Sequence, residues 1–505
     1  MAKQKSQYKN FPVFLMSCLL VLFLSGIIFF SCSEPAHEKE FRSKKSQESE
    51  IYSNNSTTSI DQLLNSTFRI DIKEIEVVFD YFPEEWRVNC RSFVRFVMRE
   101  GQKRPVIHLD PAINSSNSVQ EIKLDNENLD FFDESDVKIL SYLETTQKAI
   151  EFQRDLDEDV EHVLEMSYNL ELPEGYPRFS TELNDIHGRG NEEIFPTLNT
   201  PHELAHHTIT FNVHSPKEFR CIGSGHVEKS VGEQQWTLDT EREVSSYTVM
   251  FVLMPAEDTV YETREVAGID VRIMAYKGGA SISSGFSILE SWLPELITNL
   301  GPFPMPRGLS IFLASYGGGM EFYGGTITSI WALKHEVFHM YFGCSTVNRT
   351  YRDTWMDEAI NEWYEKSADS SFSSIWDNYS SNIVSGRSPV AVGFDQRAYD
   401  EGARIMQAVS QKLGGRSEMI GFLYYLHLNY SFAPFTTLNF LAYLKDYSGL
   451  DIEDEFIRWL YSDSQAYSLY SIFSAGEADK MMIDMTPPRM LQEKYGLIKS
   501  GKESR

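Results

Sequence analysis

Apolar and polar residues alternate in short stretches from Phe68 to about Pro255. FRIDIKEIEVVF, SFVRFVMRE, TITFNV and YTVMFVLM place every second side chain on one face, the period of a half-buried strand. Turn residues separate them, which predicts an antiparallel β-sandwich. One acidic stretch, Ser135 to Asp159, reads as helical and interrupts the series. From about Val266 the pattern changes: VRIMAYKG and LSIFLASYG read as strands among helical segments. Beyond Ile327 the period is mainly helical, through IWALKHEVFHMYFG, TWMDEAINEWYEKSA, DEGARIMQAVSQKLGG and LNFLAYLKDYSG. Gly414, Gly415 and Gly449 are natural helix stops. The predicted fold class is α+β and multidomain. A β-sandwich domain spans residues 68–264, a mainly helical domain spans 265–462, and a tail with at most one or two short helices spans 463–505.

The first residues carry an address. Lys3, Lys5 and Lys9 precede an apolar run from Phe11 to Phe30, about long enough to span a bilayer. The run ends in Phe29-Phe30-Ser31-Cys32, which resembles the exit of a bacterial lipoprotein signal. Residues 1–32 therefore read as a lipidated signal, a retained membrane helix or a cleaved secretion signal. Each places the body outside the cytoplasm, because the lysines stay behind. Residues 33–67 are rich in Ser, Glu, Lys and Asn and read as a flexible tether, with Asn55 and Asn65 in glycan-acceptor triplets.

Composition narrows the function. The 46 basic and 73 acidic residues give a net charge of −27, which excludes a general nucleic-acid binder. Five cysteines are too few for a disulfide scaffold. Cys90, Cys221 and Cys344 lie far apart without a CxxC pair and read as small buried hydrophobes.

Two HExxH motifs are present. HELAH, from His202 to His206, runs at once into HTITFNV, which alternates like a strand, and nothing downstream offers a helical acid at ligand spacing. It is rejected as a metal site. HEVFH, with His335, Glu336 and His339, has helical context, so both histidines share a face and can clasp one Zn²⁺ ion while Glu336 reaches a bound water. Eighteen residues separate His339 from Glu358 in TWMDEAINEWYE, where Trp355, Ala359 and Trp363 line one side. Two histidines and Glu358 would leave a fourth position open for water, as a catalytic zinc site needs. Glu362, one turn later, is a competing third ligand.

With these residues in view, the chain resembles the aminopeptidase N-type zinc metallopeptidases, the gluzincins that include leukotriene hydrolase. HMYFG resembles the family's HQWFG, and WMDEAINEWYE resembles WLNEGFASYVE, with Asp357 and Cys344 in place of family asparagines. Gly318-Gly319-Met320-Glu321 resembles the GxMEN signature, with Phe322 in place of Asn. There the glutamate holds the substrate's free α-amine and the glycines admit its backbone. RAYDEGARIMQAV resembles the segment whose tyrosine, here Tyr399, stabilises the oxyanion. FPTLNTP resembles the family's FPCFDEP. A second amine-binding residue would then be His187, Glu182 or Glu192. The resemblance implies a β-sandwich followed by a thermolysin-like peptidase domain, one zinc ion, and peptide substrates with a free N-terminus. It implies aminopeptidase chemistry with Glu336 as general base. An endopeptidase, an epoxide-hydrolase-like activity or a non-catalytic surface binding protein are the alternatives. The oligomeric state and preferred first residue do not follow from the sequence.

Overall fold

The structure, a computed structural model, describes residues 57–58, 70–99, 103–109, 119–142, 148–172, 175, 178–181, 194–198, 203–315, 317–348, 353–366 and 397–460. The long alternating segments are strands. β1 (Ile70–Phe82) and β2 (Arg87–Met98) form an antiparallel hairpin, and β3 (Glu161–Glu171) pairs antiparallel with the far side of β2. Val77, Phe79 and Tyr81 of β1 face the same core as Val94 and Phe96 of β2, two residues apart as the pleat requires. β4 (Leu204–Val213) joins β1 in parallel register, so this sheet is not wholly antiparallel. The excursion through β2 and β3 supplies the long connection that a parallel pair needs.

The segment from Ser135 to Asp159, expected to be helical, instead holds two antiparallel strands, Val137–Tyr142 and Lys148–Phe152. Val137, Leu140, Ala149, Ile150 and Phe152 are buried. The acids that suggested a helix sit mostly in the turns around Asp133 and Asp155. Among the described residues, this half of the chain forms sheets of nine, four and three strands.

Sheet membership changes after Pro255. β5 (Thr259–Val266) and β6 (Ile269–Tyr276) form a hairpin that crosses residue 264. β7 (Leu309–Leu313) runs parallel to β6. β8 (Gly319–Phe322) and β9 (Gly325–Thr328) complete a five-stranded sheet in the order β5-β6-β7-β9-β8. β8 is therefore an edge strand with one row of backbone groups unpaired within the sheet.

Helix α1 (Ile282–Leu300) packs on this sheet, where a Cβ on Gly285 would stand 3.1 Å from both Ile273 and Leu313. The following helices are α2 (Leu333–Phe338), α3 (Trp355–Lys366), α4 (Arg397–Leu413), α5 (Arg416–Tyr430), α6 (Thr437–Ser448) and α7 (Glu453–Leu460). α6 starts at a reciprocal Thr436–Asn439 capping box and stops at Gly449, whose φ of 72° suits a residue without Cβ. Among the described residues no helix is long and apolar enough to cross a membrane. The expected leader of residues 1–32 and tail of 463–505 lie outside the described residues, as does nearly all of the tether of 33–67.

Candidate metal centre and substrate cleft

HEVFH lies on α2, a helix of only six residues, and His339 is its C-terminal cap. The helix is short but held from three sides. Trp292 of α1 donates its indole N–H to the Lys334 carbonyl at 3.0 Å. Asn361 of α3 donates its amide to the His335 carbonyl at 2.9 Å. Gly343 brings the following turn against His339, where a Cβ would stand 3.1 Å from the ring Nδ1.

Both imidazoles turn their Nε2 atoms to one point. His335 Nε2 and His339 Nε2 are 3.2 Å apart, and Glu358 Oε2 lies 3.1 Å from the first and 3.5 Å from the second. Ligands of tetrahedral zinc with bonds near 2.05 Å are about 3.3 Å from each other. The three atoms thus have the separations of ligands on one ion. The tautomers agree. The Phe342 carbonyl accepts from His339 Nδ1 at 2.9 Å, which leaves Nε2 as a bare lone pair. His335 Nδ1 faces Glu365 at 3.4 Å and Glu362 at 3.8 Å, so its proton also belongs on the far side. Glu362 therefore addresses the back of the His335 ring, where it also pairs with Lys366, and Glu358 is the third member of the cluster.

Electrostatics tell the same story. Burial works against a charged His335, but Glu358 and Glu365 outweigh it and push its pKa up to about 10. Burial also opposes charge on His339, yet Glu321 and Glu358 drive it well upward. Burial would raise Glu358, and hydrogen bonds from both histidines instead hold it well below the usual carboxylate range. The carboxylates demand positive charge where the rings meet. Two protonated rings at 3.2 Å would repel, whereas one divalent cation answers that demand. The donor set fits zinc.

Glu336 and Glu321 line the other side. A carboxylate oxygen of each lies within 4.8 Å of the other and of a His339 nitrogen. Burial, then the neighbouring Glu321, pushes Glu336 up to about 8. Burial likewise raises Glu321, with His339 opposing and Glu358 assisting. Glu321 sits on the edge strand β8. Gly318, with φ of 102°, turns the chain into that strand. A Cβ on Gly319 would stand 2.4 Å from Thr328 Oγ1 and 2.6 Å from Glu336 Cγ and Oε1. Gly319 is thus the residue that lets the strand close over Glu336. Met320 and Phe322 pack away from the edge with Ile327 and Phe312.

Tyr399 lies in the first turn of α4 and donates to Glu358 Oε1 at 2.8 Å. Burial, reinforced by Glu358, pushes the phenol pKa above any ordinary working range, so it stays a neutral donor. The contact exists because α3 and α4 touch at Gly402, where a Cβ would stand 2.7 Å from Ala359 Cβ. Trp363 Nε1 donates to Gln407 at 2.8 Å along the same seam.

Sequence reasoning missed several supports. Asp357 is buried; it accepts from the Asn348 amide at 2.6 Å and the Glu358 N–H at 2.8 Å, fixing the start of α3. Glu358, Asn361, Glu362 and Glu365 are spaced i, i+3, i+4, i+7, and all address His335. That polar stripe, flanking the buried Trp355–Ala359–Trp363 ridge, was the signal. Of HELAH, His202 lies outside the described residues and the rest leads into strand β4. Glu203 is a buried carboxyl bonded to the Ile72 N–H, and His206 on β4 pairs with Asp239 at 2.7 Å. Cys90, Cys221 and Cys344 are unbridged; Cys90 and Cys344 are buried and Cys221 half-buried. His187, Glu182 and Glu192 lie outside the described residues.

No protein-family model and no curated protein matches the sequence. Solved structures do match in fold. An M1 zinc metallopeptidase from Deinococcus radiodurans, bound to a Tyr-Ser-Ala substrate, aligns with TM-score 0.58 at 17% identity, over 77% of this chain and 94% of that one. Legionella pneumophila aminopeptidase A aligns with TM-score 0.61 at 11% identity, over 78% of this chain and 50% of that one. Yeast LTA4 hydrolase aligns with TM-score 0.57 at 12% identity, over 80% and 72%. The fold is that of the M1 zinc metallopeptidases, multidomain and rich in sheet, in agreement with the resemblance drawn from HEVFH, Glu358 and Gly318–Glu321.

Proposed function

We propose that this chain is a zinc aminopeptidase of the M1 kind, hydrolysing N-terminal residues from peptides. The convergence of His335 Nε2, His339 Nε2 and Glu358 Oε2 within 3.1–3.5 Å of one another, with two further carboxylates alongside, carries the reading. The neighbours of this fold include metallopeptidases bound to amino acids and to a peptide, which supports peptide substrates. His335, His339 and Glu358 would hold one zinc ion. When bound, that ion supplies Lewis acidity, polarising the scissile carbonyl and lowering the pKa of water toward neutrality.

This chain's own residues do the rest. Glu321 pairs with the substrate's α-ammonium, relieving its repulsion with Glu336 and fixing the first residue in place. The edge of β8 is free to pair with the extended backbone of the peptide, and Gly318, Gly319 and Met320 make that approach close. Glu336, buried beneath Gly319, accepts a proton from the attacking water and returns it to the leaving amine. The Tyr399 hydroxyl, neutral and already at the cluster, donates to the oxygen that becomes negative. The HEVFH cluster and an intact base argue against a binding-only role. The amine anchor argues against an endopeptidase. The apolar run and Cys32 support a body exported and held at a membrane.

Metal analysis with an aminoacyl assay tests this. One zinc per chain and chelator-sensitive cleavage of free-amine peptides are expected, with no cleavage once the amine is acetylated. Equal cleavage of acetylated and free peptides would overturn the aminopeptidase assignment.

A further inference from the structure

Trp331 is unusual among the large apolar residues described: it is 72% exposed, although it stands four residues before His335. Its indole is not adrift. A Cβ built on Gly317 would meet the ring at 3.4 Å, so the six-membered edge lies against that glycine. Gly318 is tied beneath it, its carbonyl accepting from Ser329 N–H at 2.8 Å. Gly319 comes next and covers the Glu336 carboxylate.

Gly319 and Glu321 stand two residues apart on the edge strand, and Gly317 precedes it, across the left-handed turn at Gly318. Successive residues of a strand advance about 3.3 Å. A peptide with its amine at Glu321 brings its first carbonyl opposite Gly319, above Glu336. Its second residue emerges on the Gly317 side, where the indole presents an open apolar face. Apart from the edge against Gly317, the ring is left largely open to solvent.

Resting on the aminopeptidase reading, we propose that Trp331 is a specificity-determining residue. Its indole receives the side chain of the substrate's second residue and favours an aromatic group there. The observations commit to the second residue rather than the first, because the first is enclosed between Glu321 and the His335–His339–Glu358 cluster.

The test compares Ala-Phe-Ala with Ala-Gly-Ala, holding the first and third residues constant. Offset-stacked rings are worth roughly three- to tenfold in affinity. The wild-type kcat/KM should favour Ala-Phe-Ala by that factor. Trp331→Ala should bring the ratio within twofold of unity while leaving Ala-Gly-Ala turnover unchanged, and Trp331→Phe should keep much of the preference. Calorimetric binding of both peptides to Glu336→Gln, with and without Trp331→Ala, reads the same ratio without turnover. A ratio untouched by Trp331→Ala, or a preference that moves only with the third residue (Ala-Ala-Phe against Ala-Ala-Gly), overturns the inference while the aminopeptidase reading stands. If Glu336→Gln binds neither peptide, both fall.

Discussion

Gly319→Ala adds one methyl group where the structure has no room. Gly319 does not adopt a positive φ, so alanine meets no backbone obstacle and the effect is steric. The new Cβ would lie 2.4 Å from Thr328 Oγ1 and 2.6 Å from Glu336 Oε1, against a comfortable contact near 3.4 Å. Something must move by about 0.8–1.0 Å. Thr328 is buried in β9 and yields little, so Glu336 or the edge strand gives way. A shift of about 1 Å in a reacting group costs on the order of a hundredfold in rate, whereas overpacking of this size costs roughly 1–3 kcal/mol in stability. The expected Gly319→Ala enzyme is folded, with its zinc complement intact and kcat reduced roughly ten- to a hundredfold. Steady-state kinetics, metal content and a thermal melt measure the three quantities separately. Wild-type kcat in a variant that binds zinc normally would show that Gly319 does not hold Glu336 in register.

The remaining predictions concern other parts of the same argument. Glu336→Gln should keep its zinc by elemental analysis yet lose roughly 10²–10⁴-fold in kcat, the usual contribution of a general base. Glu321→Ala should lose mainly affinity and rate for free-amine substrates; unchanged kinetics on aminoacyl substrates would remove it from the amine site. Tyr399→Phe should lower kcat more than it raises KM, because its donor acts on charge that develops during reaction. Glu203 gives a pH test away from the cleft. Burial pushes its pKa up to about 8, so its contribution is complete below the unfolded value near 4.5 and is lost as pH rises through 8. Urea midpoints at pH 5 and pH 8.5 should differ more for wild type than for Glu203→Gln, which keeps the acceptor for Ile72 N–H.

Much of this was legible in the chain itself. The period-two segments IDIKEIEVVF and TITFNV are strands because their apolar residues have one core to face. The helical period around Glu358 is matched by α3 because Trp355, Ala359 and Trp363 must be buried together. The stretch after Ser135 misled because acidic density imitates a solvated helix, while the burial of Val137, Ile150 and Phe152 is decided by a partner strand that sequence order does not reveal. The parallel pairing of β4 with β1 is likewise a long-range choice. At the site, residue types and spacing singled out His335, His339, Glu358 and Glu336, whose side chains the structure brings together. The orienting Phe342 carbonyl escaped, because any residue carries one. The Asp357–Asn348 bond escaped because Asn348 ends a two-residue strand, Val347–Asn348, whose pairing sequence order does not reveal.

The seam between α3 and α4 has a practical consequence. The Glu358 carboxylate rides on one helix and the Tyr399 phenol on the other, and Gly402, with the Trp363–Gln407 bond beside it, keeps them together. That contact joins two helices and no strand. Warming should therefore part the two helices before the strands melt, and the protein would fall silent while its circular dichroism still looked healthy.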